Sequence, residues 1–223
     1  MHRTVVGITL PQRGIAGYER YFTAVERAGA TPVPLCGPET DLSGVDAILF
    51  SGGGDLAWAK GRYSGEADAA KPLSGIDPER NERELALARI ALARQMKILG
   101  VCRGLQVISC VLGGELYADI ERCTGLSPEK ERHQKFADRD AQHIADFRAG
   151  SLLHGWFGAE AVVNSAHHQA VSVPGRGLAV TGRSREGIVE ALEHENGRVL
   201  LVQWHPERWK GMEPLFDWLA QGC

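Results

Sequence analysis

Residues 97–114 read KILGVCRGLQVISCVLGG, and their order decides the architecture around them. Ile98 to Val101 is a short apolar run, the pattern of a buried strand. Cys102 follows at once, and Leu105 to Leu112 then carries apolar residues at helical spacing until Gly113-Gly114 stops it. One cysteine therefore stands where a strand turns sharply into a helix, with Gly100 and Gly104 two residues to either side. Such a turn is strained and brings the strand and helix backbones too close for side chains, which is what the glycines are for. This is the layout of a nucleophile elbow with cysteine in place of serine. The free N–H groups and positive dipole end of the helix N-terminus favour the thiolate, the reactive form of the side chain. The alternative, a buried cysteine serving as a small apolar residue, leaves the Gly-x-Cys-x-Gly frame without a reason.

Working outward, Thr4 to Leu10 reads as a first strand ended by Pro11, and Tyr18, Tyr21, Phe22, Val25 and Ala28 recur at helical spacing up to Gly29. Thr31 to Leu35 is a strand whose prolines suit a sheet edge, because proline cannot donate to a ladder. Asp46 to Phe50, DAILF, reads as a strand whose residues after the aspartate are continuously apolar, as in buried parallel strands. Residues 56–76 show no period and read as a surface loop. Asp77-Pro78-Glu79 then starts a helix running to about Met96, with Leu85, Ala88, Leu92 and Met96 along one face. Strand, helix, strand in that order requires a parallel crossover, hence an α/β sheet. Residues 121–150 are polar and charged, with His133 and His143 among them. Short strands follow at Ala161 to Asn164, Ala170 to Val173, Leu178 to Thr181, Ile188 to Leu192 and Val199 to Gln203. Asn196-Gly197 is the strongest hairpin signal, and a closing helix spans Met212 to Leu219. The C-terminal half therefore reads as antiparallel ribbons that return to the main sheet.

Composition narrows the class. The 223 residues suit one domain, 1–223, with 43% hydrophobic and 24% charged residues, as in a soluble globular protein. A net charge of −3 with no basic stripe argues against a nucleic-acid partner. No apolar run approaches the roughly 20 residues of a membrane span, and MHRTVVGITLPQRG carries no signal-peptide cleavage site. Cys36, Cys102, Cys110, Cys123 and Cys223 show neither paired nor zinc-like spacing. No disulfide framework, metal or cofactor is expected, and a reduced, cytoplasmic protein is the simplest reading.

Two further stretches carry chemistry. Ser51-Gly52-Gly53-Gly54-Asp55 directly follows the Asp46 to Phe50 strand, and its glycines let backbone N–H groups approach a ligand. One reading is half of an oxyanion hole, with the N–H of Arg103 as second donor; the other is an ordinary strand-end turn. A phosphate loop is excluded because the Lys-Ser/Thr pair is missing. The last strand runs into Trp204-His205-Pro206-Glu207. His205 has the chemistry of the base that a thiol nucleophile needs. Glu207 can orient it, with the right side-chain parity if the backbone stays extended. A solvated His-Pro-Glu turn is the competing reading. The adjacent His167 and His168 would face opposite ways in a strand, which argues against their chelating one metal.

GVCRGLQ, SGGGD and QWHPE together resemble the class I glutamine amidotransferase superfamily. NSAHHQAV (164–171) followed by GRGLAVTGRSREGIVEALEH (175–194) is similar to the γ-glutamyl-γ-aminobutyrate hydrolase group of free-standing γ-glutamyl hydrolases. The resemblance implies a flavodoxin-like three-layer sandwich with a central, mostly parallel sheet and an antiparallel ribbon in the C-terminal half. It implies a triad of Cys102, His205 and Glu207, an oxyanion hole from Gly53 and Arg103, and a glutamyl pocket drawn from Gly52, Gly54, Gln106, Ser165, His167 and His168. For the histidine pair, a purely structural role stands equally open. The implied reaction is hydrolysis of a small γ-glutamyl amine, such as one from polyamine catabolism, through a γ-glutamyl thioester. The partner is then a small-molecule substrate, and a homo-oligomer is compatible with it. The pattern departs after the loop, at LAWAKGRYSGE (56–66), where only Tyr63, Gly65 and Glu66 echo the hydrolases; this bears on the amine portion of the substrate. Two other readings remain: a glutaminase subunit feeding ammonia to a separate synthase, and a catalytically silent ligand-binding member.

Overall fold

A computed structural model describes residues 3–12, 14–37, 41–57, 73–126 and 140–222. His133, Tyr63, Gly65, Glu66 and Cys223 lie outside the described residues, as does most of the loop expected at 56–76. The described elements are β1 (Val5–Thr9), α1 (Glu19–Arg27), β2 (Thr31–Leu35), β3 (Ala47–Phe50), α2 (Pro78–Ala93), β4 (Lys97–Val101), α3 (Arg103–Val111), β5 (Glu115–Tyr117) and α4 (Ile120–Thr124). After them come β6 (Ala141–Phe147), α5 (Leu152–Phe157), β7 (Glu160–Ser165), β8 (Ala170–Val173), β9 (Leu178–Ser184), β10 (Val189–His194), β11 (Val199–Val202) and α6 (Glu213–Ala220).

Nine strands form one sheet in the order β2-β1-β3-β4-β11-β10-β9-β6-β7. From β2 to β11 neighbours run parallel, and from β11 to β7 they run antiparallel. The expected flavodoxin-like, three-layer α/β fold is therefore present, with one refinement. The C-terminal strands extend the main sheet instead of standing apart from it, and among the described strands only β5 and β8 pair separately. Pro32 and Pro34 sit on the edge strand β2, where the missing N–H groups cost no ladder bond. One buried cluster joins α1 and α6 to the sheet through Val25, Trp204, Leu215 and Leu219. A second joins α2 and α3 through Leu87, Ala91, Leu105 and Ile108. No described helix is long and apolar enough to cross a membrane.

Two departures from the sequence reading have a common cause. The buried face of α2 is Arg80, Asn81, Arg83, Glu84, Leu87, Ala88 and Ala91, whereas Leu85 and Leu92 are only half-buried and Met96 lies past the helix end. Within the polar stretch 121–150, β6 alternates with Ala141, His143, Ala145 and Phe147 inward. In both, buried polar side chains break the apolar period on which sequence reading relies.

The β4–α3 junction has the geometry its glycines imply. Cys102 occupies φ 51°, ψ −105°, a left-handed conformation that costs a non-glycine residue energy. Gly104 packs so tightly on β3 that a Cβ there would stand 2.7 Å from the Phe50 Cβ. Gly104→Ala is expected to destabilise the fold by about 1–3 kcal/mol, the usual cost of overpacking, read as a lower denaturant midpoint. Unchanged stability would mean that β3 and α3 can separate freely.

Candidate active site

The strands β3, β4 and β11 are neighbours, with Phe50 opposite Gly100 and Val101 opposite Val202. Their carboxyl ends deliver Ser51 to Asp55, Cys102, and Gln203 to His205 to one place, the usual ligand position of an open α/β sheet. Cys102, Arg103 and His205 are all at least nine-tenths buried.

The His205 ring interacts with the Cys102 side chain, and its Nδ1 lies 2.8 Å from Glu207 Oε1. The backbone does not stay extended here: Pro206–Arg208 is a short 3-10 turn, and it is the turn that swings Glu207 back under the ring. Burial works against a charge on His205. The Glu207 carboxylate and Cys102 more than offset it and hold the imidazole at about 10, against an ordinary 6.5. Burial also pushes Glu207 up, but the charge and hydrogen bond of His205 bring it below its ordinary 4.5.

Two side chains that were not singled out in the sequence fix His205. Asn164 accepts from the His205 N–H at 2.9 Å and donates to its carbonyl at 3.1 Å, a paired grip on the backbone from β7. The Tyr21 hydroxyl, from α1, lies 3.4 Å from His205 Nδ1 and accepts the Gly52 N–H at 3.0 Å. Burial, then the Glu207 charge, raises Tyr21 well above 10, so its hydroxyl keeps the proton. Neither residue carries a local motif; a fully buried Asn is detectable only from its partners.

Gly52 leaves room for the base, since a Cβ there would stand 2.6 Å from His205 Cε1. Its N–H donates to the Tyr21 hydroxyl, so Gly52 is not the loop donor that faces a ligand. Gly54 lies against the backbone of Gly75. Arg103 opens α3, with its N–H in the first turn, while its side chain points away to Glu84 and Asn81. Burial and the like charge of Arg80 pull the Arg103 guanidinium down to about 9, which still leaves it protonated at neutral pH.

Of the remaining candidates, Gln106, Ser165 and His167 are buried. Gln106 Nε2 donates to the Gln169 carbonyl at 3.2 Å and to Gln203 Oε1 at 3.4 Å. Ser165 is fully buried at the end of β7, opposite Ala141. The two histidines lie in the loop between β7 and β8 and not in a strand, yet they reach different partners: His167 Nδ1 contacts the Gln169 carbonyl at 3.0 Å with Nε2 toward Glu190, while His168 sits between Asp55, at 2.7 Å, and Asp119, at 3.3 Å. No group of three or more His, Cys, Asp or Glu among the described residues could hold a metal ion.

The family described as peptidase C26 matches residues 12–207, and the chain belongs to that family. It is 30% identical over 236 residues to the γ-glutamyl-γ-aminobutyrate hydrolase PuuD of Escherichia coli strain K12, covering 96% of this chain and 89% of that protein. It is 37% identical over 166 residues to YvdE of Lactococcus lactis, provisionally named as a glutamine amidotransferase-like protein, covering 74% of this chain and 67% of the relative. A solved glutamine amidotransferase from Thermotoga maritima superposes with a TM-score of 0.60 at 16% identity, covering 93% of this chain and 77% of the other, a likeness of fold.

The His205–Glu207 pair sets a pH signature. The raised His205 stabilises the fold fully below pH 6.5 and progressively less as pH climbs to 10. The lowered Glu207 stabilises it above pH 4.5, and that contribution is lost as pH falls. The Tm difference between wild type and Glu207→Gln is expected to be greatest between pH 4.5 and 6.5 and to shrink toward pH 10. A difference that widens above neutral pH would contradict the pairing.

Proposed function

We propose that this peptidase C26 member is a cysteine hydrolase that cleaves the γ-glutamyl amide bond of a small γ-glutamyl amine, giving glutamate and the free amine. The family and the relative named γ-glutamyl-γ-aminobutyrate hydrolase support amide hydrolysis on γ-glutamyl compounds. The observation that carries the finer reading is the buried chain Cys102–His205–Glu207 at the ends of two neighbouring strands, facing the glycine loop.

In this mechanism His205 holds the proton taken from Cys102, and the thiolate attacks the γ-carbonyl carbon. The C–S bond forms, and the carbonyl electrons move onto oxygen, which the N–H groups of Gly53 and Arg103 receive. Collapse breaks the C–N bond as His205 gives its proton to the departing nitrogen. Water, deprotonated by the now neutral His205, then attacks the thioester. The C–S bond breaks and glutamate leaves, with the proton again on His205 and sulfur again a thiolate. Glu207 holds Nδ1–H throughout and steadies the imidazolium. Gln106, with Ser165, His167 and His168 behind it, shapes the wall for the glutamyl end, and Gly52 and Gly54 keep the facing loop thin. A cleft of about 620 Å³ bordered by Gln12, Tyr18, Gly54 and Arg80 gives the amine portion room beside that loop. The amidotransferase-like name of YvdE supports a second reading, a glutaminase subunit working with a separate synthase.

The test is glutamate release from γ-glutamyl-γ-aminobutyrate, a second γ-glutamyl amine and glutamine. Wild type is expected to act on a γ-glutamyl amine, and Cys102→Ala to lose at least about a thousandfold in kcat/KM, as loss of a nucleophile does. Release from glutamine alone would favour the subunit reading, and release from none of the three would overturn both.

A further inference from the structure

The inner face of α2 holds charges that an apolar core would not select. Arg80, Asn81, Arg83 and Glu84 are 3%, 6%, 5% and 0% exposed, and burying such groups is costly unless every one is bonded. Apart from Arg83, which bonds the Leu10 carbonyl, their bonds lead to the two halves of the proposed oxyanion hole. Arg80 Nη2 donates to the Gly52 carbonyl at 2.9 Å and to Ser51 Oγ at 3.0 Å, while its Nη1 donates to Tyr18 at 2.9 Å. Arg80 Nε donates to Glu84 Oε1 at 2.6 Å. The other oxygen of that carboxylate, Oε2, accepts from Arg103 Nη1, and Arg103 Nη2 donates to Asn81.

The direction of these bonds matters as much as their number. In a trans peptide the C=O and the following N–H point opposite ways. Arg80 grips the Gly52 carbonyl, so the Gly53 N–H is turned away from α2. Likewise the Cys102 carbonyl accepts the Gln106 N–H at 3.3 Å, inside α3, so the Arg103 N–H points out of the helix end. Gly53 lies against both side chains: a Cβ there would collide with the Arg80 guanidinium and stand 3.1 Å from Arg103 Cδ.

We propose that Glu84 is a positioning residue for the oxyanion hole: through Arg80 it fixes the glycine loop, through Arg103 it fixes the start of α3, and so it sets the spacing of the two N–H donors. This rests on the assignment of Gly53 and Arg103 as those donors. An oxyanion hole works by being in place before charge develops, so a carboxylate that ties both donors acts on the transition state more than on substrate binding. With both guanidiniums protonated the bridge carries net positive charge behind the hole, the sign a developing oxyanion needs.

The variants are Glu84→Gln, which keeps the shape and removes the charge, and Arg80→Lys, which keeps the charge and cannot reach loop and carboxylate together. Three readouts separate the outcomes. The first is steady-state hydrolysis of a γ-glutamyl amine. The second is inhibition by the aldehyde analogue of the glutamine side chain, whose adduct with Cys102 puts an oxygen in the hole. The third is alkylation of Cys102 by iodoacetamide, which displaces iodide and forms no oxyanion. Both variants are expected to lose about 10- to 100-fold in kcat and a similar factor in aldehyde affinity, part of the effect of deleting one donor. Alkylation rate in both variants, and KM in Glu84→Gln, should stay within about threefold of wild type. Unchanged kcat and aldehyde affinity would overturn the proposal, and so would a parallel loss of alkylation, the mark of general disruption. Should Glu84→Gln not fold, Arg80→Lys carries the same comparison. If wild type hydrolyses no γ-glutamyl compound, the activity assignment falls while the aldehyde-to-iodoacetamide ratio still judges the bridge; an aldehyde that ignores wild type overturns the bridge as well.

Discussion

The left-handed backbone at Cys102 is the constraint on which the rest of the site depends. A side chain held at φ 51° between a buried strand and a helix cannot relax into either element, so it projects from the junction. That geometry survives only if the helix crosses close over the sheet, which is why Gly104 meets Phe50 without a side chain and why β3, β4 and β11 must be neighbours. Once they are, three strand ends bring a thiol, an imidazole and a glycine loop within reach of one another. The energy of the strained turn is carried by the apolar layers on both faces of the sheet, far larger in aggregate than one unfavourable dihedral.

Around that turn the protein uses buried charge on two sides. On the β11 side, Glu207 Oε1 lies between the His205 imidazole, at 2.8 Å, and the Arg208 guanidinium, at 3.2 Å, and the imidazole holds its proton firmly. On the α2 side, one carboxylate serves two guanidiniums, and the excess charge is positive. Both arrangements are buried, where Coulomb terms are screened least. The glycine loop is the seam between them: Tyr21 holds the Gly52 N–H from the base side, and Arg80 holds the Gly52 carbonyl from the other. The two holds fix the peptide planes on either side of the Gly52 Cα, and the one gripped by Arg80 carries the Gly53 N–H.

The strand–elbow–helix order, the strands β1 to β4 and the closing helix were legible because apolar periodicity and glycine placement report them directly. So was the convergence of Cys102 with the loop and His205, since all three follow strands of one parallel sheet. What escaped the sequence lies where function places polar groups inside. The face of α2 was misplaced because Arg80, Asn81, Arg83 and Glu84 occupy positions that periodicity reserves for leucine. The strand β6 was hidden because His143 is one of its inward residues. A turn, not an extended chain, brings Glu207 to His205, and side-chain parity does not report a turn. Tyr21 and Asn164 serve the site from elements distant in sequence, and no local pattern reports such a contact. His168 gives both ring nitrogens to Asp55 and Asp119, a tie between two loops that adjacency to His167 did not suggest.

The central claim is that Cys102 forms a covalent γ-glutamyl intermediate. The direct measurement is acid quenching of the protein during turnover of a γ-glutamyl amine, followed by intact-mass analysis and peptide mapping. The account predicts a γ-glutamyl adduct, labile to hydroxylamine as thioesters are, on the peptide that contains Cys102 and on no other cysteine peptide. Turnover without any adduct, or an adduct on Cys36, Cys110 or Cys123, would contradict it.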